Sequence, residues 1–230
     1  MIINCAVGSD RMLGLNAPGC SNSQGEHNVI LNSIIQRKAD GNPEGKGTNA
    51  LLLDWYRSEP RGVVAKPGRQ VLAEFFTSML ALSATFKYRP VPGRANYLYW
   101  VNNEWSLSLI APDEWSDERQ ASFVGTCILQ RDMTWTIDPS GLVGLDNPIT
   151  DALQRFYDGF AKMLHTDLTL EEILPSYVGR LPYYQRIYAS GLGRSLRASV
   201  SLGDQSDVPC RLWLQQLPQE NHLLLAGTGS

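Results

Sequence analysis

The densest ionisable cluster in this 230-residue chain is Asp113, Glu114, Asp117 and Glu118. Hydrolysis of a glycosidic bond needs two carboxyls across a cleft, one of them in surroundings that raise its pKa. Four acids on one short segment read instead as a solvated face, as runs of charge usually do. His27, His165 and His222 lie far apart, and His165 follows a helical pattern where an imidazolium complements the helix dipole. Ser190-Gly-Leu-Gly-Arg-Ser195 has the glycines of a phosphate loop but falls inside a helical pattern and lacks the P-loop lysine. No nucleophile elbow, zinc-protease helix or calcium loop is present. Cys5, Cys20, Cys127 and Cys210 include no C-x-x-C pair, so no metal or cofactor is expected, and Cys127 reads as a small buried hydrophobe.

The basic side offers more. Arg89 and Arg94 flank Pro90-Val91-Pro92-Gly93, just ahead of Tyr97 and Tyr99, and Trp115 follows within the acidic run. Arginine beside open aromatics holds phosphates, carboxylates or stacked bases. The other reading has a helix covering the tyrosines while the arginines pair with the acidic loop. Arg180, Arg186, Arg194 and Arg197 fill an acid-free span that reads as a docking face for RNA or an acidic protein. The acidic pI of 5.6 and the missing binding motifs count against nucleic acid.

Charge is segregated along the chain. Residues 57–94 carry seven basic groups against two acids, residues 95–172 four against thirteen, and residues 173–203 four arginines and no acid. Such blocks either steer partners or pair with one another inside one fold.

The elements that must position these groups follow from periodicity. Residues 1–47, rich in Gly, Asn and Ser with a short helix over 29–38, read as a loosely ordered extension. Residues 48–230 read as a single α+β domain opening with a capped helix over 50–57. Val71 to Phe86 repeat at helical spacing with small residues between, which predicts a long apolar helix over about 69–86, covered on most sides. A four-stranded antiparallel meander spans about 97–138. In its first hairpin Asn102-Asn103 form a type I′ turn, Trp100 faces Trp105 and Leu98 faces Leu107. That leaves Tyr97, Tyr99, Ser106 and Ser108 on the other face. The second hairpin joins Phe123–Leu129 to Met133–Ile137 through Gln130-Arg131-Asp132, setting Leu129 against Met133 and Cys127 against Trp135. A helical region closes the chain. Pro148 opens a helix behind Asp146/Asn147, Thr169 and Glu172 form a capping box, and Leu181-Pro182 starts a helix whose Gly191 lets another helix approach. A further helix or strand is expected around 211–216.

No run reaches the roughly 18 apolar residues of a membrane helix, and the N-terminus lacks the charged region of a secretory signal, so a cytosolic location is expected. Residues 91–115, with Gln130–Thr136 and Leu181–Arg186, resemble a family of uncharacterised bacterial proteins, mainly proteobacterial. The resemblance implies a bacterial cytosolic protein and assigns no catalytic residue. The expected function is a protein-interaction or binding protein with segregated charged faces. The alternative is an enzyme acting on a small anionic substrate in a pocket between meander and helices. Candidate binding residues are Arg89, Arg94, Tyr97, Tyr99 and Trp115, with Arg180, Arg186, Arg194 and Arg197 as a second face.

Overall fold

The structure, a computed structural model, describes residues 47–145, 147–175 and 181–217. These belong to two compact units, one ending at Arg57 and the other starting at Ser58. In the first, helix α1 (Thr48–Arg57) closes on Arg57, 3.8 Å from Asp54 one turn earlier. The helix expected over 29–38 lies outside the described residues.

The second unit is organised by helix α2 (Gly68–Ser83). Every residue from Val71 to Ser83 is buried, as a helix with so little polar surface requires. The apolar period runs on to Phe86, yet the helix ends three residues earlier. Ala84 turns extended, and Thr85 bridges to the sheet by donating its N–H to Trp105 O (2.8 Å) and accepting from Leu107 N (3.1 Å). Two backbone bonds to the sheet replace one more helical turn.

The sheet consists of β1 (Ala95–Val101), β2 (Glu104–Ser108), β3 (Phe123–Leu129) and β4 (Trp135–Pro139), all antiparallel, in the order β2-β1-β3-β4. The first hairpin has the expected register, Trp100 opposite Trp105 and Leu98 opposite Leu107. Asn102 and Asn103 take φ of 51° and 61°, the left-handed pair that a type I′ turn needs. The hairpins join through β1 and β3, so the order differs from a strict meander, which would pair β2 with β3. Residues 109–122 leave β2 on one side of β1 and deliver Phe123 opposite Tyr99 on its other side. The connection therefore crosses over one face of the sheet.

The second hairpin is corrected by two residues. Leu129 faces Trp135 and Cys127 faces Ile137. Gln130 N donates to Thr134 O (2.8 Å), Met133 N donates to Gln130 O, and Met133 takes φ of 69°. The loop is thus Arg131-Asp132-Met133 with its third residue left-handed, a position usually filled by glycine. A two-residue shift preserves side-chain facing, so Trp135 and Ile137 still point into the core. Thr134, which alternation along the strand would turn away from the Trp135/Ile137 face, is also buried, its hydroxyl donating to Asp132 Oδ1 at 2.7 Å.

Both sheet borders are sealed by α2 and its continuation. Thr85 occupies the free side of β2. At β4, Trp135 N donates to Ser78 Oγ (2.8 Å) and Thr77 Oγ1 donates to Trp135 O (2.5 Å). Exposed edges template pairing with other chains, and here they are blunted.

Two long helices and two short ones complete the core. Helix α4 (Pro148–Leu164) starts as expected, with Asn147 Oδ1 accepting from Ile149 N and Thr150 N at 2.9 and 3.0 Å. Its Phe160 and Phe156 pack edge-on against Phe75 and Phe76 of α2, with ring centroids 5.2 and 5.4 Å apart. Burying each such ring contributes about 1.5–3 kcal/mol. Short helix α5 (Leu170–Ile173) carries the expected capping box, Glu172 accepting from Thr169 N at 2.8 Å. Helix α6 (Tyr183–Leu202) packs on α2, and α7 (Cys210–Leu214) follows. At Gly191 the close neighbours are not another helix. A methyl there would sit 2.9 Å from Ser58 O and 3.1 Å from Met133 Cγ. Among the described residues no helix is long and apolar enough to cross a membrane.

Candidate functional site

The segment crossing the sheet is pinned at each step. Ile110 N donates to Ser108 Oγ (3.0 Å), and Ile110 O accepts the Tyr99 hydroxyl (2.9 Å). A 3-10 turn over Pro112–Glu114 is closed by Glu114, whose carboxylate accepts from Ala111 N at 2.8 Å. Helix α3 (Asp117–Gln120) follows, and Trp100 N then donates to Ser122 O (2.9 Å). Two side chains one helical turn apart point inward. The Arg119 guanidinium lies 5.2 Å from the centroids of both the Tyr99 and Trp115 rings, with Phe123 5.6 Å from Tyr99 and 6.3 Å from Tyr97. Asp113, Glu114, Asp117 and Glu118 all remain exposed on the outer side.

The Tyr97/Tyr99 face is therefore covered by this connection. Tyr99 is fully buried, and burial pushes its phenol up to about 12, while Tyr97 is half-buried. Trp115 joins the two tyrosines, and Arg119 supplies the guanidinium expected from Arg94. Arg119 is missed by sequence reading because it sits within an acidic run. Its one signal is the four-residue spacing from Trp115.

Arg94 goes elsewhere. It is exposed at the start of β1, after a loop held on three sides. Tyr188 donates its hydroxyl to Pro90 O (2.5 Å), Gln185 Nε2 donates to Ala84 O (2.6 Å), and Gly93 N donates to Leu129 O (2.9 Å). Gly93 has φ of 77°, a conformation that disfavours a side chain. The Gly93–Leu129 bond sets Arg94 beside the end of β3, two residues from Arg131. Arg61 N in turn donates to Arg131 O (3.0 Å). Arg61, Arg94 and Arg131, remote in sequence, thus converge where β1 begins and β3 ends. All three are exposed, and no side-chain hydrogen bond or ion pair engages them among the described residues. Arg89 and Lys87 are exposed on the same approach.

The second arginine set is split by burial. Arg186 is buried with its guanidinium 5.4 Å from the Tyr183 ring centroid. Arg194 donates to Ser58 O at 3.0 Å, and its pKa is lowered by burial. Arg197 is exposed, 3.6 Å from Glu171. Arg180 lies outside the described residues. Two of the three described arginines thus serve internal packing.

A second constellation escapes sequence reading altogether. Lys66 Nζ donates to Glu74 Oε2 (2.6 Å) and to Asp132 Oδ2 (2.7 Å), with all three side chains nearly enclosed. Gln70 Nε2 donates to Glu74 Oε1 (3.0 Å), and Thr134 donates through N and Oγ1 to Asp132 Oδ1 (3.1 and 2.7 Å). Helix α6 steers the chain towards Lys66 by donating Ser199 Oγ to Val64 O at 2.8 Å. Burial acts to lower the Lys66 pKa, but its two carboxylate partners outweigh that and hold it above its usual value. Burial raises Glu74. At Asp132 burial acts upwards, and the hydrogen bonds from Lys66 and Thr134 overcome it to give a lowered pKa. The two carboxylates sharing the Lys66 ammonium are thus shifted in opposite directions, Glu74 up and Asp132 down.

Cys127 and Cys210 are buried free thiols, raised by burial, Cys210 to about 11. His165 caps the C-terminus of α4. Cys5, Cys20, His27 and His222 lie outside the described residues. No group of three His, Cys, Asp or Glu that could hold a metal ion occurs among the described residues.

No curated protein and no solved structure matches the chain. The stretch carrying α2, all four strands, the crossing connection and the Lys66 triad is similar to an uncharacterised family, in keeping with the motif resemblance. Residues 64–141 match the model of a family described as protein of unknown function (DUF2452).

Proposed function

We propose that the protein is a cytosolic interaction module that docks an acidic partner protein on Arg61, Arg94 and Arg131. The observation carrying this reading is that backbone hydrogen bonds bring together three distant segments, each bearing an exposed arginine, with no carboxylate of the described chain paired to them. Arginine is the side chain suited to bidentate pairing with carboxylates. The loop presenting Arg94 is held by hydrogen bonds from α6 and β3, which lowers the entropy lost on docking. The cytosolic setting is supported by the free thiols of Cys127 and Cys210. An enzyme with Arg94, Tyr97, Tyr99 and the acids of 113–118 in one pocket finds less support. Arg94 stands at the end of the sheet, and the Tyr99 ring is covered by Arg119 and Trp115.

Fluorescence anisotropy with a labelled polyglutamate peptide tests the proposal. Affinity should fall by about tenfold or more in R94E/R131E, equivalent to about 1.4 kcal/mol, and should weaken with salt. Unchanged affinity in that variant overturns the reading. So does a single-stranded RNA of equal charge binding more tightly than the peptide, since that assigns the arginines to phosphate.

A further inference from the structure

Charges of the opposite sign lie elsewhere on the same unit. Asp113, Glu114, Asp117 and Glu118 are exposed on the outer side of the crossing connection, and no ion pair engages them among the described residues. The Glu114 carboxylate accepts the capping bond from Ala111 N. Asp117 and Glu118 lie five and four residues before Ser122, whose carbonyl accepts from Trp100 N near the end of β1. Arg94 stands at the start of that strand. Seven residues of strand span about 20 Å, well beyond the screening length of about 8 Å at physiological salt. No ion pair joins the basic cluster to Asp117 or Glu118 among the described residues.

Charge complementarity supplies orientation and rate, while affinity needs apolar area as well. Both surfaces provide some. Leu109 and Ile110, at the start of the crossing connection, are 58% and 41% exposed, and Val91 in the loop ahead of Arg94 is 46% exposed. Trp115 and Arg119, packed on Tyr99, hold the acidic residues in place, so docking orders little new chain.

We infer that the acidic partner is a second copy of this chain, with Asp117 and Glu118 of each copy seated on Arg61, Arg94 and Arg131 of the other. The inference rests on the docking role of the arginines proposed above. Because each copy carries both surfaces, a two-fold arrangement makes the contact twice and closes as a dimer. Thr85 engages the free side of β2, and Ser78 and Thr77 engage Trp135 on β4, so the inferred contact is made through side chains.

Sedimentation equilibrium of the full chain at about 0.01 M and about 1 M salt, where the screening length falls from about 30 to about 3 Å, reads the association. Wild type should dimerise at low salt and dissociate at high salt. R94E/R131E and D117K/E118K should each be monomeric at low salt. An equimolar mixture of the two should recover the dimer, because the exchanged charges complement each other again. Circular dichroism confirms that each variant is folded, and L109S/I110S, which leaves all charges in place, should weaken the dimer by about tenfold. A wild type that stays monomeric at low salt overturns the inference, as does a dimer that persists in D117K/E118K. If wild type is monomeric while polyglutamate still binds in an Arg94/Arg131-dependent way, the docking surface stands and its partner is another protein. If the R94E/R131E substitutions change neither measurement, both readings fail.

Discussion

Lys66 Nζ and Asp132 Oδ2 lie 2.7 Å apart, joining the entrance of α2 to the β3–β4 turn across a sequence separation of 66. Glu74 shares the same ammonium, so two carboxylates depend on one cation in a nearly enclosed place. Removing one partner from a buried ion pair leaves a charge without compensation, which usually costs about 3–5 kcal/mol. K66M is therefore expected to lower the unfolding free energy by about that much in urea titration. E74Q keeps the Lys66–Asp132 pair and removes the surplus charge, and it should change stability by less than about 1 kcal/mol. Equal losses in the two variants would refute this division of roles.

The same triad predicts the pH dependence of stability. Asp132 is held below its ordinary value of 3.8, so its contribution is present above that value and is lost as pH falls through the lowered folded pKa. Glu74 is raised above 4.5, so the folded state takes up a proton there that the unfolded chain does not hold. Stability should thus decline as pH rises through the interval above 4.5 in which Glu74 ionises. Urea midpoints measured across the acid range should show both slopes, and E74Q should abolish the second alone. Lys66, raised above 10.5, contributes undiminished stability up to that pH and loses it beyond.

Ser78 and Thr77 satisfy the outward N–H and C=O of Trp135 from within a buried helix. Leaving a buried backbone group without a partner costs about 1–3 kcal/mol. S78A should lie in that range by thermal unfolding, and T77V/S78A should also aggregate faster on heating because the border of β4 is opened. Unaltered aggregation would mean that the core, and not these bonds, protects that border.

Gly193 sits in α6, where alanine is favoured over glycine by about 1 kcal/mol on helix propensity alone. A methyl there would overlap the Pro175 carbonyl oxygen, which belongs to backbone and cannot swing aside. G193A is therefore expected to destabilise despite the better propensity, by about 1–3 kcal/mol in chemical denaturation. A stabilised G193A would show that the 174–175 segment yields freely.

What could be read from the sequence was local. The Asn102-Asn103 turn declares its own register, and the Asn147/Pro148 start of α4 declares its own cap. The second hairpin was displaced because Met133 adopts a left-handed conformation that turn rules reserve for glycine or asparagine. Strand order was hidden in residues 109–122, which have no hydrophobic period to say that they cross a face. The arginine trio and the Lys66 triad are assembled by three segments each, and no spacing rule joins position 61 to 131 or 66 to 132. The acid-free span around Arg186 and Arg194 looked like a surface, yet those side chains serve Tyr183 and Ser58.

The sealing of both sheet borders by residues 77–85 has a kinetic meaning. The two outermost strands touch the same short stretch of chain, although β2 and β4 never touch each other. Neither outer strand reaches its final partner until α2 is docked, so sheet closure and helix docking should form one barrier. That barrier involves contacts distant in sequence, which slow folding relative to a helical bundle of similar size. Substitutions at Thr77, Ser78 and Thr85 should then retard refolding and leave unfolding little changed, the signature of a seam already formed at the transition state.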